Sequence, residues 1–243
     1  MSEPTRPFAV LGEGDPAAAI RSAATDAGAP LVDRAEADVV VAVGEAALRE
    51  AMRAAASTDT RGHPILPVGT GRHAVDPSLV TDLVVDGPAP EFDAFSRVAH
   101  PVVAVERPDS RRRFAAADVA FVTAAPARIS EYEIAFSDGE SASVRADGAV
   151  VATPLGSEGY AAAAGGPLVS PGAGLAVVPV SPFTTAPDTW VASGRLGVTV
   201  EREEESVALV VDGDRWGTVE PHRAVKIEAA TTVDLLAPTA EQG

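Results

Sequence analysis

The chain has 243 residues, of which 46% are hydrophobic, so it is long enough for one large domain or two small ones. It contains no cysteine, which excludes disulfides and thiolate metal sites and makes a reducing cytoplasm the expected compartment. A formal net charge of −16 argues against a nucleic-acid partner, because phosphate binding needs clustered Lys and Arg. No apolar run reaches the roughly 18 residues of a membrane helix, so we expect no membrane association, and we expect no signal peptide at the start.

Residues 1–95 predict an α/β domain, because strand and helix patterns alternate along them. The segment "PFAVL" is the first strand, and the helix after it is expected to have Asp15 as its N-cap and to end near Gly28. The apolar run "ADVVVAVG", residues 37–44, suits a strand buried on both faces of a parallel sheet. A second helix and the buried strand "HPILPVG" complete the domain.

Residues 96–243 predict a second domain that is rich in β-strands and mostly antiparallel. The segment "SEYEIAFSDGESASVRADGAVVATP" alternates apolar and polar residues, and its Asp138–Gly139 pair is a hairpin signal. Three later segments are also predicted strands: "SGRLGVTVE", "ESVALVVDGDRWGTVE" and "AVKIEAATTVDLL". The basic run at residues 111–113 is either a solvated loop or an anion contact.

Two strand-to-helix turns in the first domain are candidate ligand contacts. The turn "GEGD", residues 12–15, lacks a full dinucleotide-binding glycine pattern and is either a plain turn or a ligand loop. Gly44 and Glu45 follow a buried strand, and ligands of open α/β sheets gather at that end of the strands. Glu45 is therefore a candidate base or metal ligand, although an acidic residue in a first helical turn also stabilises the helix by itself.

The segment "ATPLGSEGYAAAAGGPLVSP", residues 152–171, combines a turn with a short alanine-rich helix. Pro154 and Gly156 force the turn, Ser157 suits an N-cap, and the glycine pair at residues 165–166 ends the helix. Free backbone N–H groups at such a helix start suit a phosphate or a close-packed ring. The spacing alone is equally compatible with a binding site and with a structural turn.

The other residue types that carry chemistry predict neither a hydrolase nor a metal site. No G-x-S-x-G elbow and no Walker A motif occurs, and the one lysine, Lys226, lies in a late predicted strand. The histidines have no metal-ligand spacing and are expected at the surface or in loops: His63, His73, His100 and His222.

The segment "ADGAVVATPLGSEGYAAAAGGPLVSPG" resembles the signature segment of the NAD kinases. The matching residues are Asp147, Gly148, Ala152, Thr153, Pro154, Gly156, Ser157, Tyr160, Gly165, Gly166 and Pro167. The resemblance implies an α/β + β fold, in which an α/β nucleotide domain precedes a β-rich, β-sandwich-like domain. It also implies phosphoryl transfer from ATP to the adenosine 2′-hydroxyl of NAD, with Mg²⁺ as a cofactor and a homo-oligomeric assembly.

By the same resemblance, Glu45 stands where the family has its catalytic aspartate. The residues that would bind the nucleotides are Gly44, Asp118, Asp147, Thr153, Gly156, Ser157 and Tyr160. The positions that depart from the family pattern are Ala46, Gly69, Ala117, Leu155, Glu158, Gly159 and Phe183. Three hypotheses follow: a divergent NAD kinase, an inactive homologue that binds a nucleotide or regulates a partner, and a kinase with a different acceptor.

The surface composition resembles that of proteins from extreme halophiles. Acidic residues outnumber basic ones by 35 to 19, and arginine supplies nearly all the positive charge. Molar salt screens the self-repulsion that such a net charge would otherwise produce. The simpler alternative is an acidic protein from a GC-rich genome.

Overall fold

The structure is a computed structural model that describes most of the chain. The described residues are 6–57, 62–85, 92–124, 129–202 and 206–239. The chain divides into two compact units: residues 1–99 with 233–243, and residues 100–232. The predicted domain boundary after residue 95 stays a prediction. Among the described helices, none has the length and apolar character needed to cross a membrane.

The described elements alternate between strand and helix at first and are then almost entirely strands. In chain order they are β1 (Phe8–Leu11), α1 (Asp15–Asp26), β2 (Val39–Val43), α2 (Glu45–Ala56), β3 (Ile65–Val68), α3 (Pro77–Val85), β4 (Ser96–Glu106), β5 (Arg112–Ala115), β6 (Asp118–Thr123), β7 (Ser130–Phe136), β8 (Ser141–Ala146), β9 (Gly148–Ala152), α4 (Tyr160–Ala163), β10 (Leu175–Val180), β11 (Trp190–Ala192), β12 (Arg195–Val200), β13 (Val207–Val211), β14 (Asp214–Thr218) and β15 (Val225–Ala237). Short 3-10 turns lie at Arg34–Glu36, Phe92–Ala94 and Gly156–Glu158.

The first unit contains the predicted parallel α/β layer. Strands β1, β2 and β3 pair in parallel, and the end of β15 joins β3 in parallel through Leu235 and Ile65. All five residues of β2 are buried, as expected for a strand covered on both faces. Helix α2 buries one stripe of side chains spaced three and four residues apart, which packs against β2 and β3: Ala47, Leu48, Ala51 and Met52.

The start of α1 differs from the prediction. The helix already includes Asp15, so Asp15 is not its N-cap, and Gly14 occupies that position without any side-chain cap. Gly14 has a φ of 84°, a backbone conformation that glycine adopts at little cost, so the chain enters the helix one residue early. The helix ends at Asp26, two residues before the predicted end at Gly28.

The second unit is a β-sandwich. One sheet has the order β8–β7–β12–β15, with β4 pairing to β15 and β5, and the other has the order β11–β10–β9–β6–β13–β14. Between them lies one core built from both inner faces, for example Tyr132, Ile134 and Val198 from the first sheet and Phe121, Val151 and Leu209 from the second. The predicted β-rich second half and the hairpin at Asp138–Gly139 are therefore confirmed.

The outer face of the second sheet is also covered, and this explains the alanine run of the sequence. Ala161 in α4 is buried against small residues of three neighbouring strands, which include Ala120, Ala152 and Ala176. All five residues of β9 are buried. Methyl-sized side chains allow the short helix and the sheet to approach closely, so the small residues here serve packing.

Candidate functional site

The turn after β9 is held against the chain around Ala117 by a close approach of two backbones. A Cβ atom on Gly156 would meet the Ala117 carbonyl oxygen at 2.2 Å, far inside van der Waals contact. A Cβ on Gly166 would likewise meet Val178 Cγ2 at 2.5 Å. These two glycines of the signature are therefore required by packing, whatever ligand the turn binds.

The two hydroxyls of the turn bond to the protein's own backbone. Thr153 Oγ1 donates to the Ala116 carbonyl at 2.6 Å, and Ser157 Oγ donates to the Pro154 carbonyl at 2.8 Å while accepting from Val169 N at 3.0 Å. Both side chains are buried. Ser157 lies inside the 3-10 turn instead of capping a helix, so the N-cap prediction is wrong there. Its direct contact with a nucleotide, and that of Thr153, stays a prediction.

Asp118, which lies beside the signature turn, and Tyr160 within the signature both have side chains that reach the surface. Asp118 is half-buried at the start of β6, opposite Ala152 in the strand register, and Tyr160 is 42% exposed at the start of α4. Burial raises the pKa of the Tyr160 phenol, and the carboxylates of Asp118 and then Asp147 raise it further. The phenol is therefore neutral at physiological pH and offers a ring face together with a hydroxyl.

Asp147 lies at the other end of the β6–β9 pair. The register sets Asp118 against Ala152 but Val122 against Gly148, so the two aspartates do not share a strand end. The Asp147 carbonyl accepts from Thr123 N and Thr123 Oγ1, both at 3.0 Å. The sequence alone does not reveal this separation, because it is set by the antiparallel register of β6 and β9.

The second of the two tyrosines of the chain also lies near Asp147. The Tyr132 hydroxyl is 3.5 Å from the Asp147 carbonyl oxygen, and its ring is fully buried in the sandwich core. Burial raises the Tyr132 pKa strongly, and the Asp147 carboxylate and Tyr160 raise it further. Both tyrosines are therefore held in the neutral form around one carboxylate.

Asp212 is a residue of this region that sequence reasoning missed. Its carboxylate accepts hydrogen bonds from the backbone N–H groups of Ala116, Ala117 and Asp118. The sequence signal was the pair Asp212–Gly213, which predicts a hairpin turn but not the partners of the carboxylate. Those partners lie about a hundred residues earlier in the chain.

Gly44 and Glu45, which belong to the first unit, occupy the start of α2. Gly44 is the N-cap residue with a φ of 85°, and its N–H donates to the Val68 carbonyl at 2.9 Å. The Glu45 side chain is 61% exposed and forms an ion pair with Arg49 one turn later. In the neighbouring "GEGD" turn, packing requires a glycine at position 12, since a Cβ on Gly12 would lie 2.4 Å from the Val43 carbonyl oxygen.

The basic run is engaged by the protein itself. Arg111 pairs with Asp109 at 2.6 Å, and Arg112 and Arg113 lie in β5 instead of in the loop considered above. Arg113 stacks over the Trp216 ring at 5.2 Å, and Arg112 stacks over Phe114. These contacts favour a structural role for the run.

The histidine prediction is wrong for His100. This residue is fully buried in β4, whereas His222 is exposed and pairs with Glu201 at 3.2 Å. Among the described residues there is no group of three or more His, Asp or Glu side chains placed to hold a metal ion.

Comparison with known families identifies the second half of the chain. Residues 117–237 match the family model of the ATP-NAD kinase C-terminal domain. A NAD kinase of Methanosarcina acetivorans is 35% identical over 114 residues, which are 46% of this chain and 42% of that protein. A NAD kinase of Pyrococcus furiosus is 37% identical over 107 residues, 43% of this chain and 38% of that protein. The matched part thus spans about two fifths of the length of these curated relatives.

Solved structures with the same fold cover nearly the whole chain. Yeast NADH kinase complexed with NADH has a TM-score of 0.74 at 17% identity and covers 98% of this chain and 84% of its own. A NAD kinase from Archaeoglobus fulgidus in complex with ATP has a TM-score of 0.71 at 23% identity and covers 98% and 96%. The α/β + β fold expected from the sequence is therefore confirmed.

Proposed function

Because this chain belongs to the NAD kinase family, we propose that it transfers the γ-phosphoryl group of ATP to the adenosine 2′-hydroxyl of NAD. The observation that carries the proposal is the signature turn, whose backbone is fixed by buried contacts while Asp118 and Tyr160 reach the surface beside it. Two solved structures of the same fold add support, since one is a complex with NADH and the other a complex with ATP.

Asp118 and Tyr160 would bind the dinucleotide. A half-buried carboxylate accepts hydrogen bonds from ribose hydroxyls, and a neutral phenol ring packs against a planar base or nicotinamide. Asp147 belongs to the same proposal, although it lies at the opposite end of the strand pair. Thr153, Gly156 and Ser157 would act mainly by shaping the turn, because their polar and backbone groups are used inside the protein.

Glu45 would act as the base that orients and deprotonates the acceptor hydroxyl. Its ion pair with Arg49 is an exposed pair one helical turn apart, and such pairs contribute only about 0.3–0.5 kcal/mol. Substrate binding supplies far more free energy than this, so the Glu45 carboxylate is available for chemistry. Gly44, beside it, leaves room for a close approach of phosphate, since a Cβ there would meet no protein atom within 4 Å.

Magnesium would enter with ATP. Mg²⁺ is commonly held by substrate phosphates with few protein carboxylates, so the ATP phosphates would supply most of its ligands and the exposed Glu45 carboxylate would stay available as the base. Bound there, the ion would neutralise charge on the transferring phosphoryl group. The cytoplasmic location, the homo-oligomeric assembly and the halophilic character expected from the sequence are also part of this proposal.

A second candidate function is nucleotide binding without phosphoryl transfer. Glu158 favours it, because this exposed carboxylate lies in the 3-10 turn of the signature, where it would repel a phosphate. Phe183 is 74% exposed where the family has a polar residue, which removes a further hydrogen-bonding group. A kinase with another acceptor is the third possibility and would use the same scaffold.

The test is NADP formation from NAD, ATP and Mg²⁺ in about molar KCl. The Glu45→Ala variant removes the proposed base, and Glu50→Ala is its matched control because Glu50 is an exposed glutamate on the same helix. We expect Glu45→Ala to lower the rate by about a hundredfold or more and Glu50→Ala to leave it unchanged. Equal rates for the two variants would contradict the role of Glu45.

Calorimetry separates the candidates when no NADP forms. Binding of NAD with no turnover supports the second function, and binding that is absent for NAD but present for another nucleoside or a lipid supports the third. Wild-type protein that binds neither NAD nor ATP would refute the proposed function altogether.

A further inference from the structure

The turn between β13 and β14 inserts one carboxylate into the protein instead of pointing it at solvent. Asp212 is only 5% exposed and has a φ of 51°, the left-handed region that aspartate tolerates better than most residues. Its Oδ1 accepts from Ala117 N at 2.7 Å and from Asp118 N at 3.2 Å, and its Oδ2 accepts from Ala116 N at 2.9 Å. One side chain thus satisfies three consecutive backbone donors.

The carbonyl groups of the same three residues are also bonded, two of them by the signature turn and the third by Asp212. The Ala116 carbonyl accepts from Thr153 Oγ1 at 2.6 Å, and the Ala117 carbonyl accepts from Thr153 N at 2.8 Å. The Asp118 carbonyl accepts from Asp212 N at 2.9 Å. Residues 116–118, the β6 entry segment, are therefore fixed on both sides, and their only functional side chain is the carboxylate of Asp118.

We propose that Asp212 is a positioning residue for the dinucleotide site, because it clamps the β6 entry segment and thereby sets the place of the Asp118 carboxylate beside the signature turn. The inference rests on the proposed function for its link to NAD. A carboxylate suits this task because two oxygens with about four lone-pair directions accept three N–H groups at once. An amide offers one oxygen, and its NH₂ group would face an N–H donor.

The variant Asp212→Asn keeps the size of the side chain and removes this capacity. Asp138→Asn is the matched control, because Asp138 also precedes glycine in a hairpin turn but is exposed and accepts only from Glu140 N at 3.1 Å. We expect Asp212→Asn to raise the KM for NAD on the order of tenfold and to leave the KM for ATP within about twofold. A loss of kcat with an unchanged KM for NAD, or equal behaviour of both variants, would overturn the inference.

A second measurement is independent of turnover. The chain has two tyrosines, so the absorbance of tyrosinate at alkaline pH reports on Tyr160 and Tyr132 alone. The charged groups that act on Tyr160 are Asp118 and Asp147, while those that act on Tyr132 are Asp147 and Tyr160. The phenol pKa falls when a carboxylate moves away from it, so Asp212→Asn is expected to shift the first titration step to lower pH. Asp118→Asn, which removes the carboxylate itself, is expected to shift it in the same direction. A titration curve identical to that of Asp138→Asn would overturn the inference.

The two readouts distinguish the two proposals. If wild-type protein neither binds nor phosphorylates NAD, the proposed function fails, yet the tyrosine titration still decides whether Asp212 positions Asp118. If Asp212→Asn does not fold, the pair Thr153→Val and Thr153→Ser tests the clamp from its other side. Valine lacks the hydroxyl that holds Ala116, so it is expected to shift the titration, while serine restores it. The same curve for both substitutions would overturn the inference.

Discussion

Gly156→Ala is expected to be one of the most damaging methyl additions in the second unit. The new Cβ would lie 2.2 Å from the Ala117 carbonyl oxygen and 2.5 Å from its carbonyl carbon, whereas ordinary contact begins near 3.4 Å. The backbone atoms on one side must therefore move on the order of 1 Å. A shift of that size lengthens the Thr153 N–H bond to Ala117, now 2.8 Å, beyond hydrogen-bond range, and it strains the 2.6 Å bond from Thr153 Oγ1 to Ala116.

The cost follows from the number of buried groups that lose partners. A buried donor or acceptor left unsatisfied costs about 1–3 kcal/mol, so two of them destabilise the fold by about 2–6 kcal/mol. In a chain of this size each kcal/mol lowers the Tm by about 2–4 °C, which predicts a fall of at least about 4 °C. Thermal unfolding followed by far-UV circular dichroism measures it.

The control is Gly197→Ala, in the middle of β12 of the same unit. Its Cβ would lie 3.6 Å from Ala224 Cβ, an ordinary contact, and its backbone is not in the left-handed region. Alanine at such a position is expected to leave the Tm unchanged or to raise it slightly, because it restricts the unfolded chain. A Tm of Gly156→Ala within about 2 °C of the wild type, or equal to that of Gly197→Ala, would refute the close-approach argument.

Ser157→Ala leaves the buried N–H of Val169 without its acceptor, so we expect the free energy of unfolding in urea to fall by about 1–3 kcal/mol. The control Ser141→Ala removes an exposed hydroxyl and should change the free energy of unfolding by less than about 0.5 kcal/mol. The pKa values of Tyr132 and Tyr160 are raised in the folded protein, so the unfolded chain loses these two protons at a lower pH than the folded one. The protonated tyrosines therefore contribute their full stability below pH 10, and this contribution declines as the pH rises above 10. A free energy of unfolding that increases above pH 10 would contradict this sign. A net charge of −16 predicts a higher Tm in 2 M than in 0.1 M KCl, since the Debye length falls from about 10 Å to below about 3 Å, and a Tm independent of salt would count against the halophilic interpretation.

Much of the fold was predictable because it depends on neighbours in the chain. The unbroken apolar run of β2 is a local pattern that indicates a strand buried on both faces. The alternation on both sides of Asp138–Gly139 is also local, because the strand backbone sets its two-residue period, and it indicates β7 and β8. The start of α1 was less predictable, since Gly14 and Asp15 are both acceptable caps and only the observed backbone angles distinguish them. The burial of His100 was missed because it depends on which elements pack over β4, and the identity of one residue in the strand does not reveal those elements.

The candidate site shows the same division. The sequence by itself determined that a glycine-bearing turn, an alanine-rich short helix and Tyr160 belong to a signature resembling the NAD kinases, and the same resemblance made Asp118 a candidate nucleotide contact. Only the tertiary structure decided that the hydroxyls of Thr153 and Ser157 face inward, that Asp147 lies at the far end of the β6–β9 pair and that Asp212 holds the β6 entry segment. The physical reason is that these contacts join strands far apart in the chain, and antiparallel register with close backbone packing sets which groups meet, while local propensity sets only which strands and turns form.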